Sequence, residues 1–156
     1  MDKAEFKQLF LEMIGNQDNP FHPLVWINGD PEIGPGTYIG GFSDINATKG
    51  RIVIGAQCDI ASFVAINAGD THLMMVGLAE KPEAGDIEIG DYVFIGSHSV
   101  IMGGVQIGHH SVVGAGTIVR PVEIPPYSLV VGNPMVIKSG YYNKKAQSGN
   151  SREEKT

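Results

Sequence analysis

Five histidines, one cysteine and 17 carboxylates carry the acid–base and ligand chemistry open to this 156-residue chain. His72 stands apart because it falls where a regular pattern fails. Ile54, Ile60 and Ile66 are six residues apart, and the next step of six lands on residue 72, where a histidine replaces the aliphatic. Ile89 follows after 17 residues, which is not a multiple of six, so an excursion leaves the pattern at or near this histidine. Loops inserted on a rigid scaffold are common sites of function, and a neutral imidazole near pH 7 can take a proton from a hydroxyl or an amine. On spacing alone, a structural loop histidine is an equal reading. His98, His109 and His110 fall at third or fourth positions of their hexads and read as solvated turn residues. His22, between Phe21 and Pro23, is a weaker candidate for reaching an acceptor. Cys58 occupies a position reserved for small buried side chains, so it reads as core and not as a nucleophile.

The elements that must hold these residues follow from the same pattern. An aliphatic residue recurs at Ile89, Ile95, Ile101, Ile107, Val113 and Val119, with glycine directly after it at 90, 96, 108 and 114. The fifth position of each hexad is small or β-branched: Val93, Ser99, Val105, Ser111 and Thr117. An earlier register runs through Ile33, Ile39 and Ile45, then Ile54, Ile60 and Ile66. A period of six does not match the 3.6 of a helix, whereas short strands joined by tight turns fit it. Hexapeptide repeats are a signature of a parallel β-helix, in which each unit buries its inward face only by stacking on its neighbours. Three hexads then make one triangular coil of about 18 residues. The 21 glycines belong to this repeat and not to a disordered segment.

Outside the repeat, Phe6, Leu9, Phe10 and Met13 lie at helical spacing within residues 2–14, and that face is expected to pack beside the coils. Residues 1–25 form this helix and a linker, 26–138 the β-helix, and 139–156 a polar tail, expected to be disordered from Asn143 onward. The excursion is expected to span 73–86 as a projecting loop. A net charge of −6 offers no field for nucleic acid or an anionic membrane surface. No run of about 18 apolar residues is present to span a bilayer. The charged start Met1-Asp2-Lys3-Ala4-Glu5 differs from a signal peptide, so a cytoplasmic location is expected.

The string from Asp91 to Ile101, then Val113-Gly114-Ala115-Gly116-Thr117-Ile118-Val119, Ile124-Pro125-Pro126-Tyr127-Ser128 and Val131-Gly132-Asn133-Pro134, resembles the C-terminal half of the hexapeptide acyltransferases. The resemblance extends over about 26–138 and includes sugar O-acetyltransferases, xenobiotic acetyltransferases and enzymes acetylating bacterial surface sugars. It implies an all-β fold whose coils are left-handed, against the usual crossover preference. It also implies transfer of an acetyl group from acetyl-coenzyme A to a hydroxyl or amine of a sugar or sugar nucleotide, with no metal and no covalent enzyme intermediate. Ala68-Gly69-Asp70-Thr71-His72 resembles the segment that carries the family's general base, with Asp70 able to orient the ring. By the same resemblance Ser97 and Ala115 fall where relatives contact pantetheine, and Arg120 and Lys138 fall near the nucleotide end. Asp44 and Asn46 fall where polar residues meet sugar hydroxyls. A homotrimer with its site between subunits is implied as well.

The chain departs from the family pattern at Arg120-Pro121-Val122-Glu123, where many relatives carry Thr-Lys-Asp, and it lacks a basic residue before Val136. Two other classes use the same scaffold. A γ-class carbonic anhydrase needs three imidazoles on zinc, and its pair of histidines five apart is absent. A non-catalytic scaffold would need no histidine in the excursion.

Overall fold

The computed structural model describes residues 1–143, and the expected disorder of the polar tail beyond Asn143 lies outside the described residues. Its strands are two or three residues long and build three parallel sheets, the faces of a triangular coil. Face A stacks Trp26–Asn28, Asp44–Asn46, Ala65–Asn67, Val100–Met102 and Ile118–Val119. Face B stacks Glu32–Ile33, Ile52–Ile54, Ile87–Ile89, Gln106–Ile107 and Glu123–Ile124. Face C stacks Tyr38–Ile39, Asp59–Ile60, Phe94–Ile95, Val112–Val113 and Leu129–Val131. The chain runs A, B, C and back to A, about five turns in all.

The six-residue rhythm is the core. Ile45, Ile66, Ile101 and Val119 lie in register up face A, and Ile39, Ile60, Ile95, Val113 and Val130 up face C. All of these are fully buried. On face B, Ile52 and Ile87 also point inward, two residues before Ile54 and Ile89, so the aliphatic series is denser there than the repeat foresees. The small fifth positions fill the corners. Where they are hydroxyls, they tie one coil to the next: Ser99 Oγ donates to the Gly114 carbonyl and accepts the Thr117 N–H. Ser43 does the same with Ala61 and Val64. Buried hydroxyls are tolerable only when satisfied in this way, and among the described residues no buried side-chain polar atom lacks a partner.

Helix α1 (Lys3–Ile14) is capped by Asp2, whose carboxylate accepts the Ala4 and Glu5 N–H groups while Glu5 returns a bond to the Asp2 N–H. It ends at Gly15, whose φ of 68° suits a residue without a Cβ. The expected packing face is corrected here. Leu11 is the buried residue of the helix, whereas Phe6, Leu9 and Met13 are exposed. The reason lies in the exit of the chain: the Asn16 amide donates to the Pro23 and Val25 carbonyls and fixes the helix with Leu11 inward. Phe6 and Phe10 stack instead on each other at 6.3 Å beside a groove shared with Phe21, Pro23 and Leu24.

At the other end, Val136–Lys138 turns back antiparallel to Leu129–Val131 and covers the open edge of face C. A helical turn over 141–143 follows, with the Tyr142 N–H donating to the Tyr127 carbonyl, so the first residues after 138 pack on the coil.

Candidate active site

Departures from an 18-residue coil locate the site. Ile27 to Ile45 and Ile101 to Val119 are each 18 residues. Ile45 to Ile66 is 21, Ile66 to Ile101 is 35, and Ile107 to Ile124 is 17. Each of the three irregular coils gains or loses its residues between face A and face B: at 47–50, at 68–86 and at 120–122. The other two corners are invariant. One corner therefore carries every elaboration of an otherwise regular scaffold.

The excursion begins earlier than the sequence suggests. The Gly85 N–H donates to the Ala68 carbonyl and closes the coil beneath it. The loop spans 69–84, not 73–86, and its neck is an antiparallel pair, Gly69–Asp70 against Glu83–Ala84. The short helix α2 (His72–Met75) follows the neck. Ala68 is the last inward residue, and the two neck strands leave the coil together to satisfy their own backbone groups. His72 thus does not replace an inward aliphatic; it stands on the rim of the excursion, four residues beyond the coil.

Pairing of Asp70 with Glu83 across the neck sets two carboxylates beside that ring. His72 Nδ1 lies 2.9 Å from Asp70 Oδ1 and 3.7 Å from Glu83 Oε2. The His72 main-chain N–H also donates to Asp70 Oδ1 at 2.9 Å. These bonds, the main-chain one foremost, hold the Asp70 carboxyl below its ordinary pKa. With Nδ1–H held by Asp70, the tautomer this contact favours leaves the Nε2 lone pair free. The His72 side chain is 61% exposed, so an acceptor can approach that nitrogen. Glu83 was not singled out by sequence reasoning; only the hairpin pairing brings it here.

A groove of about 390 Å³ runs from the neck across face A, lined by Asn46, Thr48, Lys49, Asn67, Asp70, Thr71 and Met102 among others. Asn46, expected against an acceptor, lies in it, and Asn67 is its register partner one coil on. Asp44 is on the same strand but outside the groove, bonded by the Asn28 amide at 3.1 Å. Burial pushes the Asp44 carboxyl up, and the Asn28 bond partly opposes this. Asn67 was also missed, although Asn28, Asn46 and Asn67 recur at the coil step.

The expected coenzyme residues are only partly assembled within one chain. Ser97 and Ala115 share the corner between faces C and A on successive coils, with the Gly116 N–H donating to the Ser97 carbonyl. Ser97 Oγ donates to the Ser62 carbonyl at 2.7 Å, so its hydroxyl already has a structural role. Arg120 follows face A, on the corner that carries the excursion. Lys138 pairs with Leu129 on face C, with its ammonium 5.7 Å from the Tyr141 ring centroid. The four are not one cluster.

The remaining histidines are exposed, as expected, but they are ordered by stacking. His98 continues the ladder Phe42, Phe63, His98 with ring separations of 5.0 and 4.9 Å. His110 lies between Tyr92 and Tyr127 on another corner, and His109 Nδ1 is 2.9 Å from His110 Nδ1. His98 and His110 take positive φ, as do Phe42, Phe63, Tyr92 and Tyr127. Stacking across the strand spacing of about 4.8 Å offsets part of that cost. His22 Nδ1 accepts the Leu24 N–H in the N-terminal segment. Cys58 is buried with its thiol bonded to the Gly90 carbonyl, and burial raises its pKa, in keeping with core. Among the described residues no three His, Cys, Asp or Glu side chains are grouped to hold a metal ion. Among them no helix is long and apolar enough to cross a membrane.

The family described as bacterial transferase hexapeptide (six repeats) matches residues 86–121, the most regular coils. The chloramphenicol acetyltransferase of Escherichia coli is 33% identical over 100 residues, 62% of this chain and 47% of that protein. A hexapeptide-repeat acetyltransferase of Vibrio cholerae has the same fold at 28% identity and a TM-score of 0.61, over 90% of this chain and 82% of that one. A galactoside acetyltransferase solved with coenzyme A superposes with a TM-score of 0.56 at 25% identity, over 88% of this chain and 82% of its own. This hexapeptide-repeat chain spans from about a quarter to about half of the length of the curated relatives it matches.

Proposed function

We propose that the chain transfers an acetyl group from acetyl-coenzyme A to a hydroxyl or amine of a sugar or sugar nucleotide, with His72 as general base. The observation that carries this reading is the exposed His72 ring, with Nδ1 at 2.9 Å from Asp70, next to a groove that Asp70 and Thr71 line. The relatives support the donor: the Vibrio cholerae acetyltransferase has been solved complexed with acetyl-coenzyme A, and the galactoside enzyme in complex with coenzyme A.

In this reading His72 Nε2 removes the proton of the acceptor O–H or N–H as the oxygen or nitrogen attacks the thioester carbonyl. The tetrahedral adduct collapses with cleavage of the carbon–sulfur bond, and the imidazolium returns its proton to the departing thiolate. The proton balance closes without a metal or an acyl-enzyme. Asp70 holds the ring and offsets the imidazolium charge, as an orienting carboxylate does in other His-dependent sites. Asn46 binds acceptor polar groups, with Asp44 behind it. Ser97 and Ala115 border the pantetheine, and Arg120 and Lys138 meet the nucleotide end. Because these residues lie on separate corners of one chain, the reading includes a homotrimer in which His72 faces the Ser97 and Ala115 corner of a neighbouring copy. Use of acetyl-coenzyme A sets the activity in the cytoplasm.

The test is thiol release from acetyl-coenzyme A in the presence of a panel of galactosides, glucosides and nucleotide-linked amino sugars. Acceptor-dependent release supports the reading. Release that no acceptor increases overturns it.

A further inference from the structure

The groove beside His72 offers two side-chain amides and one cation to its ligand, next to the Asp70 carboxylate. Asn46 Oδ1 is occupied by the Thr48 N–H at 3.1 Å and the Thr48 hydroxyl at 2.6 Å. Asn67 Oδ1 is occupied by the Gly69 N–H at 3.1 Å. Each amide is therefore fixed with its NH₂ group unused among the described residues, and the two are register partners on adjacent coils, about 4.8 Å apart by strand spacing. The charged side chains lining the groove are Lys49 and Asp70. Asp70 meets the main-chain N–H and the ring of His72 through Oδ1. Lys49 has no carboxylate within ion-pair distance among the described residues.

The position of Lys49 is built in. It belongs to the three-residue lengthening at 47–50, which the repeat does not require, on the same corner as the excursion and one coil before it. Its stem lies over Gly69 so closely that a Cβ on that glycine would come within 2.6 Å of Lys49 Cβ. The extra residues thus set Lys49 at the neck of the His72 hairpin, with Cβ and Cγ against Gly69 and the exposed side chain lining the groove. Two NH₂ donors and a cation together match a group made of acceptor oxygens with negative charge.

Resting on the acyl-transfer reading and narrowing its acceptor, we infer that Lys49, with the Asn46 and Asn67 amides, binds a carboxylate or phosphate on the sugar, so that the acceptor is an anionic sugar. A carboxylate on the ring and a phosphate at the anomeric carbon share this chemistry, and the comparison below separates them.

The experiment measures equilibrium binding of glucuronate, glucose 1-phosphate and methyl glucoside by ligand-observed NMR, without coenzyme A. It uses the full chain, Lys49→Gln and Lys49→Arg, each checked for an unchanged circular dichroism spectrum. The expected result is binding of at least one of the acids about tenfold tighter than methyl glucoside, falling with added salt. The preference disappears in Lys49→Gln and is retained in large part by Lys49→Arg; the tighter acid identifies carboxylate or phosphate. Equal binding of the three, an unchanged preference in Lys49→Gln, or binding of none overturns the inference. Thiol release from acetyl-coenzyme A with the same three sugars separates the two failures. If the Lys49-dependent preference is present but no sugar increases release, the anion site stands and acyl transfer falls.

Discussion

Asp70 Oδ1 accepts two hydrogen bonds from a single residue, the main-chain N–H and the ring Nδ1–H of His72, each at 2.9 Å. The main-chain bond locks the Asp70 carboxylate to the start of α2, and the ring bond then fixes how the imidazole presents Nε2. A lost charge and a lost base are therefore separable by mutation. Asp70→Asn keeps an acceptor oxygen but removes the charge that offsets the imidazolium. Its kcat for acetyl transfer is expected to fall about tenfold to 100-fold, with KM for acetyl-coenzyme A unchanged, in steady-state assays of thiol release.

The Asp70 carboxyl itself provides a pH signature. Its pKa is lowered in the folded chain, so its contribution to stability is present above the ordinary value of 3.8 and is lost as pH falls through the lowered value. Carboxyl NMR should find Asp70 titrating below 3.8 in the parent chain. In His72→Ala it should move only part of the way back, because the main-chain bond remains.

Asp44 has the opposite sign. Its pKa is raised chiefly by burial, so the folded chain binds more protons than the unfolded one between 3.8 and the raised value. Stability is expected to decline across that window and to carry a constant penalty above it. Asp44→Asn keeps an acceptor for the Asn28 amide and removes the buried charge. Thermal melts should find it more stable than the parent at pH 7, with the gain vanishing below pH 3.8.

Much of the fold was legible because its inward positions are chemically uniform. The isoleucines of faces A and C obey a period of six that no helix can satisfy, and the small residues between them occupy the corners. The helix face and the excursion were less legible. Phe6, Leu9 and Phe10 have helical spacing, but spacing does not say what the helix meets, and the Asn16 bonds that orient it are long-range. The neck at Gly69 was hidden because its departure is marked by backbone pairing with Ala84, not by a change in residue type. Within the site, His72 and Asp70 could be singled out from the broken rhythm and the resemblance, but Glu83, Lys49 and Asn67 could not. They converge through stacking of coils of unequal length. The aromatic ladders left a signal that was available: Phe42, Phe63 and His98 recur at steps of 21 and 35, the lengths of their coils.

The corrected helix orientation gives a direct stability test. Leu11 is 5% exposed and Leu9 47%, so Leu11→Ala is expected to cost about 2 kcal/mol or more and Leu9→Ala under about 0.5 kcal/mol in urea unfolding.

Coil stacking gives another. A Cβ on Gly96 would collide with the main-chain N of Ala115, which is rigid backbone of the next coil, whereas Gly116 at φ 71° has open space around it. Gly96→Ala is expected to destabilise by about 3 kcal/mol or more. Gly116→Asn should fold with only a small loss, since Asn is among the residues that enter the left-handed region most readily. Denaturation midpoints of the two variants check the contrast.

The proposed role of His72 as the base is tested most directly by comparing His72→Ala with the parent chain in turnover and in coenzyme A binding. The expected result is a fall in kcat of at least about 100-fold with the dissociation constant for coenzyme A unchanged and the melting curve intact. Turnover within about twofold of the parent in His72→Ala would contradict it.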